Sequence, residues 1–126
     1  MAAFLTPLKL EELGEDRWRL LAPLIYRSDV LPWPALVRVE VGFETDLESV
    51  PRWLPVCYAI LYGTAHPAAV VHDWLYTHGA YTRSLDDTVL YEAIRATGQP
   101  RWKAAMIWAG VRVGGWVAWQ KHRKGA

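Results

Sequence analysis

The chain has 126 residues and a formal net charge of +1, and 52% of its residues are apolar. This length fits one domain with enough apolar residues for a core, and a charge so near zero argues against a nucleic-acid partner. The single cysteine, Cys57, excludes an internal disulfide and a cysteine-based zinc cluster.

Two strands are predicted near the start of the chain. Residues 18–26 form one apolar run, and residues 36–43 alternate valines with charged residues, as a half-buried strand does. Pro23 limits the first run to an edge or bulge position, because proline cannot donate to a sheet. Before these strands, residues 1–15 are predicted to form an arm, either mobile or docked on a partner or on the domain itself.

Helices are predicted after Pro51, at about 52–62, 67–78, 84–97 and 101–120, with glycines between them. Ser84 is predicted to cap the third of these helices. The predicted fold is therefore α+β, with a small antiparallel hairpin or sheet (about 18–43) followed by a bundle of about four helices. Residues 16–126 are expected to form this single domain.

Three polar motifs follow one another in the chain: Thr45-Asp46-x-x-Ser49-Val50-Pro51-Arg52, then His72-Asp73-Trp74-Leu75-Tyr76, then Arg83 with Asp87. They resemble an uncharacterised family of small phage and prophage proteins, the domain of unknown function 1353, over about Trp18 to Trp116. The resemblance implies a phage context. We expect synthesis in the host cytoplasm, since no secretory signal is indicated, and association with the virion.

The second motif contains the residue types needed for hydrolysis. His72 and Tyr76 are four residues apart and share a helix face, and the next helix can bring Asp87 to that face. A histidine oriented by a carboxylate can activate water. We therefore predict a catalytic group with His72 as the base, Asp87 as its orienter and Asp73 as a ligand of a metal ion.

The His-Asp-x-x-Tyr pattern is also similar to the catalytic helix of small calcium-dependent phospholipases. That resemblance implies a divalent cation such as calcium, held by Asp73 and by Asp46 from the preceding loop. This chain lacks the glycine-rich calcium loop and the disulfides of those enzymes. The same cluster also has a structural interpretation, in which His72 bridges Asp87 and Tyr76 inside an aromatic core and fixes the angle between two helices.

The first motif has two interpretations as well. Asp46 can accept backbone hydrogen bonds or pair with Arg52 in a turn between strand and helix. Alternatively, Arg52 lies at the mouth of the site and binds substrate together with Tyr76 and Arg83.

The last predicted helix is apolar on nearly every side. It is too short to span a bilayer and carries Arg112 in its middle, so a buried helix with Arg112 paired to an acid is predicted. Peripheral contact with anionic lipid is an alternative for the basic residues 121–124.

Two functions remain open. The first is a small phage hydrolase that acts on ester or amide bonds of the cell envelope during entry or lysis. The second is a non-enzymatic virion or tail-assembly protein, which binds other phage proteins or forms a homo-oligomer. An inhibitor of a host factor is a third alternative on which the sequence is silent.

Overall fold

The computed structural model describes residues 1–14, 17–45, 66–116 and 119–120. The strands are β1 (Ala3–Phe4), β2 (Leu10–Gly14), β3 (Arg17–Leu20), β4 (Leu24–Arg27), β5 (Leu36–Val39) and β6 (Glu44–Thr45). The helices are α1 (His66–His78), α2 (Arg83–Ala96) and α3 (Arg101–Gly114). The predicted α+β class is confirmed.

The strands form two small antiparallel sheets, one with the order β1-β4-β5 and the other with the order β2-β3-β6. The first predicted strand is therefore divided, with its two halves in different sheets. The break falls at residues 21–23, where Pro23 has no N–H to continue a ladder. The predicted hairpin persists in the second half, where Leu24 pairs with Val39 and Arg27 with Leu36.

The N-terminal residues belong to these sheets. Ala3 pairs with Arg27 in one sheet, and Leu10 pairs with Leu20 in the other. The predicted arm is expected to be mobile, to dock on a partner or to dock on the domain itself. The strand pairing corresponds to the last of these. The hydroxyl of Thr6 also joins the N-terminal segment to β4, because it accepts a hydrogen bond from the Ile25 amide at 2.9 Å.

Within the described ranges there are three helices rather than about four, and the predicted helix at 52–62 lies outside them. The helix α2 begins one residue before the predicted start, and its N-cap is Thr82 rather than Ser84. Thr82 has the extended backbone of a cap and its hydroxyl accepts from the Leu85 amide, whereas Ser84 lies inside the first turn. The helix α3 spans Arg101–Gly114, and Gly115 forms a turn with a helical backbone. The described residues Trp116, Trp119 and Gln120 beyond it are helical again, and the Trp119 amide donates to the Gly115 carbonyl at 3.1 Å, so the predicted end near residue 120 is not contradicted.

The core lies where the helices meet the sheets. The helix α2 packs between α1 and α3, while α1 contacts β5 and α2 contacts β1. The fully buried apolar side chains come from both parts of the fold and include Leu24, Tyr26, Val39, Val70, Leu90, Ile94 and Ile107. In the described part of the chain, no helix has the length and apolarity to cross a membrane.

Candidate functional site

The carboxylate of Asp87 on α2 is the centre of a buried polar cluster. It accepts hydrogen bonds from Nε2 of His72 at 2.7 Å and from the Tyr76 hydroxyl at 2.6 Å, both on Oδ1. Nη1 of Arg112 donates to the other oxygen, Oδ2, at 2.7 Å. These four residues, the Asp87 cluster, join all three described helices through one carboxylate.

The helix geometry explains why these side chains meet. His72 and Tyr76 lie one turn apart on α1, and their ring centroids are 4.1 Å apart. Gly79 then ends α1 with a positive φ of 65°, and its amide donates to the Leu75 carbonyl. The short connection returns the chain as α2, which places Asp87 against α1. The predicted proximity of His72, Tyr76 and Asp87 is thus present in the structure.

Gly115 gives the Tyr76 hydroxyl room beyond the end of α3. A Cβ atom at this position would lie 3.1 Å from that hydroxyl oxygen, closer than nearly all Cβ contacts in proteins. A larger residue would therefore displace either the Tyr76 ring or the end of α3. Arg112 lies one turn before Gly115, so the same helix end both approaches Tyr76 closely and supplies the cation for Asp87.

The surroundings of Asp87 fix its charge. Burial alone raises the pKa of the carboxyl, but the hydrogen bonds and charge of His72, followed by the hydrogen bonds of Tyr76 and Arg112, outweigh it and lower the pKa below its ordinary value. Burial and the nearby carboxylate raise the pKa of the Tyr76 hydroxyl, which therefore stays a donor. Asp87 is consequently an anion that only accepts hydrogen bonds.

This charge state determines which ring nitrogen of His72 carries hydrogen. An ionised carboxylate accepts only, so Nε2 of His72 must hold the proton that it donates to Asp87. In the neutral imidazole, Nδ1 then has the lone pair. The cluster itself is closed, since His72 is 1% exposed and Asp87 0%. The Arg112 side chain, at 32% exposed, extends furthest toward solvent among the four.

Asp73 is buried beside His72 but points to a different partner. Its Oδ2 accepts from the hydroxyl of Thr45 in β6 at 2.5 Å, and Thr45 is itself buried. The start of the first motif therefore contacts the second motif. The predicted residues Asp46 and Arg52 lie outside the described residues.

No set of three His, Cys, Asp or Glu side chains that could hold a metal ion is present within the described ranges. The calcium site predicted from Asp73 and Asp46 stays a prediction, because Asp46, one of its two ligands, lies outside the described residues. Arg83, predicted to bind substrate, donates through Nη2 to the carbonyls of Val111 and Arg112 at 3.1 and 2.6 Å. It thus holds the end of α3, and its role toward a substrate stays a prediction.

Sequence reasoning predicts one further polar contact in part and does not predict another. The predicted pairing of Arg112 with an acid is confirmed, and the partner is Asp87, for which the sequence predicts only the contact with His72. Glu92 was missed, although its carboxylate accepts from the hydroxyls of Tyr26 and Ser28 at 2.7 and 2.8 Å and from the Asp29 amide at 3.0 Å. The available signal was Tyr26, a strand tyrosine whose buried hydroxyl needs a partner.

Comparison with known proteins identifies one family. The model of the family described as protein of unknown function (DUF1353) matches residues 18–111, a range that contains His72 and Asp87. No curated protein and no solved structure matches the chain.

Proposed function

We propose that this chain, which belongs to the DUF1353 family, is a phage-encoded hydrolase in which His72 activates water and Asp87 orients it. The bonds proposed for cleavage are esters or amides of the bacterial cell envelope, cleaved during entry or lysis. The proposal combines the phage resemblance of the three motifs with the chemistry of the Asp87 cluster.

The hydrogen bond from Nε2 of His72 to Asp87 carries the proposal. Because Nε2 holds the proton, the lone pair at Nδ1 is the group that accepts a proton from an attacking water molecule. The water oxygen then bonds to the carbonyl carbon of the substrate. When the tetrahedral intermediate collapses, the bond from carbon to the leaving group breaks. The proton on Nδ1 passes to the leaving atom, which is the alcohol oxygen of an ester or the amine nitrogen of an amide.

Asp87 supports this cycle by position and by charge. Its carboxylate keeps the imidazole ring in one orientation and stabilises the positive ring that exists between the two proton transfers. Tyr76 and Arg112 hold the carboxylate in turn, from the neighbouring turn of α1 and from α3. Supporting hydrogen bonds of this kind keep catalytic groups in productive geometry.

The remaining predicted residues take supporting parts in the proposal. Arg52, Tyr76 and Arg83 are assigned to substrate binding, and Asp73 with Asp46 to a divalent cation such as calcium. Because His72 is buried in the free chain, substrate binding must open its surroundings.

The test is a substitution that keeps the hydrogen bond and removes the base. In His72→Gln, the side-chain amide can still donate to Asp87 but cannot accept a proton at neutral pH. Release of fatty acids from phosphatidylglycerol vesicles and of free amines from purified peptidoglycan would be measured. We expect at least a ~100-fold loss of rate relative to the wild type, the size of a general-base contribution.

His78→Gln is the matched control, because His78 lies on the same helix but is exposed. It should hydrolyse either substrate at the wild-type rate. Two results would refute the proposal. One is hydrolysis by His72→Gln at the wild-type rate, and the other is the absence of hydrolysis by both the wild type and His78→Gln.

Two observations favour the second function, a non-enzymatic virion or tail-assembly protein. His72 is only 1% exposed, and the positive charge of Arg112 compensates the carboxylate that would stabilise a protonated His72. In this alternative the Asp87 cluster locks three helices together, and an exposed surface rich in tryptophan binds another phage protein. It predicts that His72→Gln leaves assembly of the phage particle unchanged, because the hydrogen bond to Asp87 is kept.

A further inference from the structure

The outward face of α3 is made of apolar residues. Trp102, Val113 and Trp116 are 61%, 64% and 54% exposed, and Ala105 and Ala109 are exposed between them. Their spacing of three and four residues places all five on one stripe, which continues past Gly114 because Gly115 keeps a helical backbone. The opposite stripe, with Ala104, Ile107, Gly110 and Val111, is buried in the domain.

Such a face is unusual for a surface helix. A helix at the surface of a globular protein normally has polar residues opposite its buried stripe, whereas α3 exposes two indole rings and three aliphatic side chains there. Contiguous apolar surface of this kind marks a site that contacts another molecule or a membrane. The side of α3 that faces the domain is fixed by the partly buried hydrogen bonds of Arg112 to Asp87 and of Arg83 to the Arg112 carbonyl, so the stripe lies on a fixed support.

The charges of the chain are also unevenly divided. All 13 acidic residues precede Gly98, whereas six of the 14 lysines and arginines lie at or after Arg101. These six are Arg101, Lys103, Arg112, Lys121, Arg123 and Lys124. A basic segment without acids indicates an anionic partner, even though the net charge of the whole chain is close to zero.

We propose that the outward face of α3 binds the surface of an anionic lipid bilayer. Tryptophan rings favour the level of the lipid headgroups, and an amphipathic helix lies in that plane with its apolar face inserted. Arg101 and Lys103 flank Trp102 at one end of the stripe, with the Lys103 ammonium 5.5 Å from the Trp102 ring centroid. In the sequence, the basic residues 121–124 come shortly after Trp116, the last residue of the stripe.

Charge decides between lipid and a second copy of the chain. Packing α3 against α3 of another copy would bring two segments together that contain only basic charges, which repel each other. Single-stranded nucleic acid is a poorer match for this face, because the middle of the stripe consists of Ala105, Ala109 and Val113. These side chains have no ring on which a base could stack.

This inference goes beyond the proposed function and does not depend on it, because binding to lipid is measured without any hydrolysis. The experiment is sedimentation of the full chain with vesicles of phosphatidylglycerol and, in parallel, with vesicles of phosphatidylcholine. We expect binding to the anionic vesicles that weakens as salt is raised, and at least ~10-fold weaker binding to the zwitterionic ones.

Two valine substitutions form a matched pair. Val113 lies in the stripe and is 64% exposed, while Val41 lies in the turn after β5 and is 59% exposed. Val113→Glu and Val41→Glu change the net charge equally, so a difference between them reports the position alone. Val113→Glu should weaken binding to phosphatidylglycerol by ~10-fold or more, and Val41→Glu by less than about threefold.

Each other outcome contradicts the inference. Wild-type chain that stays in the supernatant with anionic vesicles overturns it, as does an equal loss of binding in the two valine variants. A dimer in sedimentation velocity that Val113→Glu dissociates, without vesicle binding, would assign the face to a second copy. Binding of single-stranded DNA in place of vesicles would assign it to nucleic acid. The unfolding midpoint of each variant should match the wild type, since both side chains are exposed.

Discussion

Asp87 and Glu92 are two carboxylates on the same helix, α2, and each accepts three hydrogen bonds, yet they face different parts of the fold. Asp87 binds side chains of α1 and α3, among them the charged Arg112. Glu92 binds the strand residue Tyr26 and the loop that follows it, through uncharged donors. The two residues therefore anchor opposite sides of α2.

The comparison shows how environment separates a candidate reactive group from a scaffold contact. Glu92 is partly exposed, so water can replace a lost donor, and its donors, two hydroxyls and a backbone amide, do not change their charge near neutral pH. Asp87 is fully buried and orients a histidine, the side chain best suited to proton transfer near pH 7. Equal numbers of hydrogen bonds thus imply neither equal energy nor equal chemistry.

The largest expected effect is that of Asp87→Ala. Removal of the carboxylate leaves the buried His72 and Tyr76 donors and the partly exposed Arg112 without their acceptor, and we expect a loss of about 3–5 kcal/mol in the free energy of unfolding. Urea denaturation measures it. A loss below about 1 kcal/mol would show that water or neighbouring groups satisfy the three donors, and would remove the distinction between the two carboxylates.

Glu92→Ala should cost less, about 2 kcal/mol, because its donors are neutral and solvent reaches this side of α2. The same urea measurement applies. A cost equal to or above that of Asp87→Ala would contradict the ranking of the two regions. The Tyr26 hydroxyl, whose pKa burial and Glu92 raise, stays protonated in either variant and remains a donor for water.

Acid should separate the wild type from an Asp87→Asn variant. The pKa of Asp87 is lower in the folded chain than the unfolded value of about 3.9, so the unfolded state binds more protons in this range. The stabilisation is therefore present above about pH 4 and is lost as pH falls through the folded pKa. Because Asn cannot titrate, the unfolding free energy of Asp87→Asn should fall less steeply than that of the wild type as pH is lowered. The difference between the two slopes should correspond to at most about one bound proton. An identical slope would contradict the assigned charge of Asp87.

The smallest effect concerns the start of α2. Thr82→Ala removes the hydroxyl that accepts from the Leu85 amide and should cost about 1 kcal/mol, while Ser84→Ala should change stability by less than about 0.5 kcal/mol. Thermal unfolding of the two variants side by side checks this. A larger cost at Ser84 would restore the N-cap expected from sequence.

Local periodicity was sufficient to predict the meeting of His72, Tyr76 and Asp87, because helix geometry fixes which residues share a face and a short connection limits where the next helix can lie. It was also sufficient to pair Arg112 with an acid, since a buried guanidinium must find one. That this acid is Asp87 depends on how α3 packs on α2, and local sequence periodicity does not predict helix packing.

Contacts between distant segments were not predictable in the same way. Thr45 with Asp73 and Tyr26 with Glu92 join residues 28 and 66 positions apart. Thr45 and Asp73 stand out in sequence as motif residues, but no local pattern pairs one with the other, and Tyr26 and Glu92 belong to none of the three motifs. The division of residues 18–26 between two sheets was signalled by Pro23, but the pairing of Leu10 with Leu20 was not, because the N-terminal residues have no clear strand pattern.

The most direct test of the account is nitrogen NMR of the His72 imidazole in chain labelled with ¹⁵N-histidine, with the signal assigned by its absence in His72→Gln. The account predicts that neutral His72 carries its proton on Nε2, bound to Asp87, and an imine-type nitrogen with a lone pair at Nδ1. A neutral His72 with its proton on Nδ1 would contradict the account, because no base would then be available where the proposed reaction needs it.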